Sequence, residues 1–276
     1  MSFSQEVKQG KRFEFGKNWN SFLKTLDDKR IEVAIDSLKE MLEVEDLEGK
    51  KFLDIGSGSG LFSLAAKKLG AEVHSFDFDT DSVSCTKYLR DTYFPDSNWI
   101  VEEGSVLDVD YVKSLGQFDI VYSWGVLHHT GHMYKALDNA ALPVKEGGKL
   151  FIAIYNDEGA KSKVWKKIKK VYVKYLAGKY LITMLYTPYY LTKNFLMDTL
   201  YLRQPPFARY RKGKKERGMS GKHDLADWLG GYPFEVARIP EIFNFYKKKG
   251  FVLNVVTTKK GKGCNQFVFT KLNLNK

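Results

Sequence analysis

Between residues 50 and 155 the chain alternates short apolar runs with stretches whose apolar positions recur every three or four residues. The runs "KKFLDI" (50–55), "AEVHSFDF" (71–78), "NWIVEEG" (98–104), "FDIVYSW" (118–124) and "GKLFIAIY" (148–155) have the length and composition of buried strands. Between them, "LFSLAAKKLG", "DTDSVSCTKYLRD" and "HMYKALDNAAL" are rich in helix formers, with Gly70 and Pro143 as stop signals. Upstream, Ile31, Ile35, Leu38 and Leu42 predict a helix over residues 20–43. The alternation stops after residue 155 and resumes at residue 240 with a helix, "PEIFNFYKKKG", and two strands, "FVLNVVTT" and "NQFVFTKL". Those strands are joined by "KKGKGC", a turn short enough for an antiparallel hairpin. The pattern therefore predicts a parallel sheet with helices on both faces, closed by a hairpin.

The first strand runs into "LDIGSGSG" (53–60), which places Gly56, Gly58 and Gly60 at every second position. Glycine backbone can approach a ligand closely, so the question is which ligand. A phosphate loop of the form G-x-x-x-x-G-K-[S/T] needs a lysine after the glycines, and none stands there. A dinucleotide turn needs G-x-G-x-x-G, but counting from Gly56 reaches Leu61 and counting from Gly58 reaches Ser63. Asp54 would repel a pyrophosphate across a low-dielectric cleft, whereas it suits an ammonium or sulfonium. The helix N-terminus that follows can accept a carboxylate. S-adenosylmethionine carries all of these groups.

With Asp54 and the three glycines in place, the chain resembles the class I S-adenosylmethionine-dependent methyltransferases. "FLDIGSGSG" is similar to their first motif, and Asp77, nineteen residues after Gly58, stands where the family's ribose-binding acid does. "EGSVLD" (103–108) is similar to the loop beside the adenine, and "FDIVYSWGVLHH" to the fourth motif. The resemblance covers residues 50–155 and 240–270, about half the chain. It implies an α/β, Rossmann-like, seven-stranded and mostly parallel sheet, with an antiparallel final strand and a helical insertion after the fifth strand. It implies that Asp54, Gly56, Ser57, Gly58 and Gly60 hold the methionine part of the cofactor. Asp77 and Phe78 would meet the ribose, Gly104, Ser105 and Val106 the adenine, with Ser123 and Trp124 at the fourth motif. The expected organisation is an N-terminal helical lid (1–48), a cofactor-binding core (49–156 and 236–276) and a basic, aromatic-rich insertion capping the acceptor (157–235).

The remaining chemistry-bearing residues leave alternatives open. His128 and His129 follow the fourth strand, at the edge that faces the crevice of such a sheet, and either is a candidate general base for a hydroxyl acceptor. The bland alternative has one packing the loop and the other capping the next helix. "RGMSGKHDLADWLGGYPFE" (217–235) gathers His223, Asp224, Asp227, Trp228, Tyr232 and Glu235, which suit a polar, sugar-like acceptor or a rigid structural loop. Trp19 and Phe15, in "RFEFGKNWNSFL" (12–23), would touch substrate or bury the sheet edge. This N-terminal stretch and the 217–235 loop also resemble methyltransferases associated with bacterial surface-polysaccharide assembly.

Charge changes the picture in one segment. The net charge is +11, yet residues 160–217 hold sixteen Lys/Arg against Asp198 and Glu216. There Val164, Ile168, Val171 and Tyr175, flanked by Trp165, Tyr172 and Leu176, predict an amphipathic helix whose other face is lysine-rich. A cap helix with a solvated basic face, a peripheral contact with an anionic membrane, and RNA binding all remain possible partners for it, RNA the least supported by motif. Cys85 and Cys264 lie far apart without metal-type spacing, and no metal is expected. The N-terminus lacks a continuous apolar run, and a cytoplasmic enzyme is expected. Methylation of a small or glycan-like acceptor at oxygen is the expected activity. RNA or a quinone-like lipid is the enzyme alternative, and a catalytically silent cofactor-binding protein the other.

Overall fold

The computed structural model describes residues 2–206, 208, 221–258 and 263–273, with the side chains of 221–224 outside the description. Three helices come first: Phe3–Lys8 (α1), Gly16–Leu23 (α2) and Asp28–Leu42 (α3). The single helix expected over 20–43 is thus two. Asp27 adopts an extended conformation and its carboxylate accepts the Arg30 N–H at 3.0 Å, which starts α3 afresh.

The core then alternates Lys51–Ile55 (β1), Leu61–Lys68 (α4), Glu72–Asp77 (β2), Thr80–Tyr93 (α5), Ile100–Glu103 (β3), Val109–Ser114 (α6), Phe118–Trp124 (β4), Met133–Ala141 (α7) and Val144–Tyr155 (β5). A 3-10 turn, Leu127–His129, joins β4 to α7. Helix α6 has too few residues to show a hydrophobic period; Asp108 caps it through the N–H groups of Asp110 and Tyr111. Helices Ala160–Lys174 (α8), Leu176–Leu196 (α9) and Gly221–Gly230 (α10) follow, with a π turn at Met197–Tyr201. Ile239–Lys247 (α11), Phe251–Thr257 (β6) and Cys264–Lys271 (β7) complete the core.

The seven strands form one sheet in the order β3-β2-β1-β4-β5-β7-β6, parallel except where β7 pairs antiparallel with β5 and β6. Alternation along β1 sends Leu53 and Ile55 into one buried layer with Val121, Leu137 and Tyr246. Phe52 goes to the other, with Leu38, Leu64 and Val73. Strand order reverses direction between β1 and β4, so the carboxyl ends of these strands open a crevice there.

Helix α8 does not bury the face its hydrophobic pattern predicts. Val164, Val171 and Tyr175 are exposed, while Ser162, Lys169 and Tyr172 are buried. The reason is Lys169. Its ammonium donates to the Trp228 carbonyl and lies 4.3 Å from the Trp228 ring centroid and 5.0 Å from that of Phe234. A cation held between aromatic faces and a carbonyl is compensated for its lost water, and this contact sets the rotation of the helix.

Candidate functional site

The glycine turn sits at the carboxyl end of β1. Gly56 and Gly58 have φ of 78° and 56°, a region that side chains rarely adopt. A Cβ at Gly56 would lie 2.4 Å from a Val126 methyl, so glycine is required there for space as well as conformation. The Gly58 N–H donates to Asp77 Oδ2 at 2.9 Å, and the Asp79 N–H donates to Asp77 Oδ1 at 2.9 Å. The acid ending β2 is thereby fixed against the turn ending β1. Ser57 Oγ meets Thr86 Oγ1 at 2.8 Å, which ties the turn to α5.

Asp54 lies beneath the turn, buried, at the end of a hydrogen-bond chain. Trp99 Nε1 donates to Ser75 Oγ at 2.9 Å, Ser75 Oγ to Ser63 Oγ at 2.8 Å, and Ser63 Oγ to Asp54 Oδ2 at 2.5 Å. Burial pushes the Asp54 carboxyl up to about 7, opposed by the Ser63 bond and assisted by the nearby Asp77 charge. Burial also raises Asp77, to about 6, against the pull of its backbone donors. Two carboxylates short of compensating cations favour a ligand that brings positive charge.

The N-terminal segment crosses above this cradle. The Gly16 N–H donates to Asp79 Oδ2 at 2.8 Å, and the Trp19 indole rests on Gly58, 3.2 Å from where a Cβ would stand. Asn18 donates to the Asp227 carboxylate on α10. Arg12 spans the crevice. Its guanidinium donates to the His129 carbonyl at 2.9 Å and the Thr130 carbonyl at 3.4 Å, pairs with Glu6 at 2.7 Å, and lies 5.3 Å from the Phe78 ring centroid.

Opposite the cradle stand the two histidines, and they differ. His128 is fully buried, with its ring 4.1 Å from that of Tyr155. No well-formed hydrogen bond reaches its ring nitrogens, and the Ala153 backbone is the polar neighbour that favours protonation. Burial holds it well below the usual histidine value. His129 Nδ1 lies 2.6 Å from the Pro233 carbonyl, an acceptor, so Nδ1 carries the proton and Nε2 the lone pair. Burial lowers His129 to about 3, with the Lys169 and Arg12 charges adding to the effect and the Pro233 bond opposing it. It is therefore a neutral imidazole of fixed tautomer. The Phe15 ring centroid lies 5.0 Å from that of His129, and the backbone of Gly231 approaches from the end of α10.

Residues 26–184 match the family model described as a methyltransferase domain, more than half of the chain. The chain belongs to that family. Among curated relatives, this methyltransferase is 30% identical over 119 residues to the ubiquinone biosynthesis O-methyltransferase of Coxiella burnetii, covering 43% of this chain and 49% of the relative. The Brucella ovis enzyme of the same name is 30% identical over 118 residues, covering 40% and 43%. The chain spans about half the length of these relatives or less. Among solved structures, magnesium protoporphyrin IX methyltransferase from Synechocystis with bound S-adenosylhomocysteine superposes with a TM-score of 0.52 at 12% identity, over 88% of this chain and 84% of that one. An S-adenosylmethionine-dependent methyltransferase, so far putative, from Methanococcus maripaludis gives 0.52 at 14% identity, over 94% and 93%. At such identities the likeness is one of fold, the class I methyltransferase fold.

The cradle of the methyltransferase fits S-adenosylmethionine. The glycine turn at 56–60 and the buried carboxylates of Asp54 and Asp77, which lack compensating cations, could hold a ligand that carries a sulfonium and an ammonium. Phe78 lies beside Asp77 under Arg12, and Gly60 caps α4 in a left-handed conformation. Gly104 is pressed on the Tyr111 ring, and Ser105 Oγ accepts the Leu107 N–H at 3.2 Å. The Val106 side chain is buried in the core, and its carbonyl accepts from Asn139 at 2.7 Å. Ser123 Oγ donates to the Ile55 carbonyl at 3.0 Å and Trp124 Nε1 to Gln266 at 3.0 Å, so both serve the sheet in this conformation. Trp228 and Tyr232 flank the histidine side; the Tyr232 carbonyl accepts the Phe13 N–H at 2.9 Å. The side chains of His223 and Asp224 lie outside the described residues. Among the described residues no cluster of His, Cys, Asp and Glu could hold a metal ion.

Sequence reasoning missed Arg12, Asn18, Lys169, Tyr155 and Pro233. The density of aromatic and basic residues in "RFEFGKNW" was the available signal for the first two. Nothing in the chain order announces the others, because their partners lie far away in sequence.

Proposed function

We propose that this methyltransferase moves the methyl group of S-adenosylmethionine to a hydroxyl of a small, glycan-like acceptor in the cytoplasm, such as a polysaccharide precursor. The observation that carries the reading is the Nδ1–Pro233 contact of His129, which leaves the lone pair on Nε2 of a ring that lies beside Phe15. The cofactor supplies an electrophilic methyl on a sulfonium. Asp54, the glycine turn and Asp77 bind it, residues 104–106 bound the adenine side, and the lid excludes water. Trp228, Tyr232 and the Asn18–Asp227 pair orient the acceptor; His223 and Asp224 belong to the same proposed wall. His129 then takes the hydroxyl proton as the carbon–oxygen bond forms. A weak base suffices, because the oxygen becomes strongly acidic as it is alkylated. His128, stacked behind on Tyr155, keeps His129 in place.

Turnover of His129→Asn tests the assignment. Asparagine can keep the donor to Pro233 while removing Nε2, so S-adenosylhomocysteine formation on a panel of sugars and sugar nucleotides should fall about 100-fold with cofactor affinity retained. Wild-type turnover in this variant would remove His129 as base. A second reading, a quinol-like acceptor, is favoured by the curated relatives and by the rings of Tyr155, Trp228 and Phe234 beside the histidines. Phenols ionise more readily than sugar hydroxyls, so this reading gains if catechols are methylated and His129→Asn costs little.

A further inference from the structure

Helix α9 and its π turn carry large apolar side chains into solvent. Leu176, Tyr180, Met184, Leu185, Leu200 and Tyr201 are each between 63% and 76% exposed, and no residue of α9 is buried. The inner side of the helix rests on α8, with Gly178 against the Val171 backbone and the Tyr186 ring 5.4 Å from Trp165. At about 100° per residue, Tyr180, Met184, Pro188, Leu191 and Phe195 share the opposite side. Single exposed leucines are ordinary on a protein surface, but a continuous row along a 21-residue helix is not.

The charge around the row has one sign. Residues 160–196 contain nine lysines and no acidic residue, and of the seven on α8 all but Lys169 are exposed. Lysine stems can lie along apolar surface while their ammonium groups reach outward. Single-stranded or duplex RNA would meet the lysines but leave the leucines and Met184 in water. No helix among the described residues is long and apolar enough to cross a membrane, so the row suits a helix lying along an interface.

We propose that α8 and α9 form a docking hairpin that seats the outer face of α9 in the head-group region of an anionic lipid bilayer. Leucine, methionine and tyrosine side chains enter the interface, and the α8 lysines meet lipid phosphates. Through Lys169 the inner face of the same hairpin holds Trp228, so the docking surface is tied to the wall beside the histidines. The docking surface is independent of which acceptor is methylated.

Co-sedimentation of the full chain with vesicles tests this. Binding should be strong to phosphatidylcholine vesicles containing about 30% phosphatidylglycerol, and at least about tenfold weaker without it or in about 0.5 M salt. The double variant Met184→Glu/Leu185→Glu should lose at least about tenfold in vesicle binding while keeping wild-type affinity for S-adenosylmethionine. Met184→Cys labelled with an environment-sensitive dye gives a second readout, since both native cysteines are buried. Its emission should shift to the blue on anionic vesicles, while the same label at Glu32→Cys on α3 should not respond. The proposal is overturned if the wild type binds neither vesicle, or if the labelled α9 site shows no shift. It is equally overturned if the wild type is a dimer that the double variant dissolves, because the row would then face a second copy of the chain.

Discussion

On the proposed cofactor side of the crevice, each group comes from the end of a strand or the turn after it: residues 54–60 from the end of β1 onward, 77–79 from the end of β2 and 104–106 after β3. On the proposed acceptor side the partners lie a hundred residues apart in sequence. Arg12 bonds to the His129 carbonyl across 117 positions, and His129 to the Pro233 carbonyl across 104. The cofactor side is thus held by the sheet itself, and the acceptor side by side chains that bridge separate layers. Local geometry makes the first stiff, whereas long-range contacts let the second be remodelled without disturbing the strands.

Substitutions can break this contrast. Gly56→Ala forces a Cβ into Val126 in a left-handed backbone, and cofactor affinity measured by calorimetry should fall more than about 100-fold. Val126→Ala in the same chain should restore part of it. On the other side, Arg12→Ala should speed hydrogen exchange at 127–131 about tenfold or more, while residues 54–60 exchange as before. Arg12→Lys should not restore protection, because a single ammonium cannot serve both carbonyls in a fixed fork.

The acidic cradle also makes a pH prediction. Burial holds Asp54 at about 7 and Asp77 at about 6 in the folded protein, above the ordinary carboxylate value of 3.8. The native state therefore binds more protons than the unfolded state between these limits. Stability is fully present at the acid end and is lost as pH rises through 7. The melting temperature without ligand should fall by at least about 3 °C between pH 5 and pH 8 from this cause. The stabilisation conferred by S-adenosylmethionine should grow over the same window, and that conferred by S-adenosylhomocysteine, which lacks the sulfonium charge, should grow less. Smallest of all, Trp99→Phe removes the first donor of the chain ending on Asp54 and should move this midpoint upward by about half a pH unit.

The same contrast explains what could be read from the chain. Buried strands announce themselves as apolar runs, so all seven were legible, as was the β–α alternation except for the six-residue α6. The meeting of the glycine turn with Asp77 was legible because the turn follows β1 and the acid ends β2, neighbouring parallel strands. The break before α3 was hidden because Asp27, one capping side chain, outweighs a helical period that continues beyond it. Helix α8 was read with the wrong face inward, since period counting treats lysine as solvent-facing and Lys169 is held by Trp228 and Phe234. The histidine pair was visible as chemistry, but the difference between His128 and His129 resides in Pro233 and Tyr155, contacts that only the folded chain creates.

Titration calorimetry of the full chain with S-adenosylmethionine, alongside Asp77→Asn and Gly56→Ala, tests the central claim most directly. The account predicts one site per chain, with binding sharply weakened in both variants and with S-adenosylhomocysteine competing for it. Absence of binding by either sulfur nucleoside, with a nicotinamide dinucleotide or a nucleoside triphosphate bound instead, would contradict it.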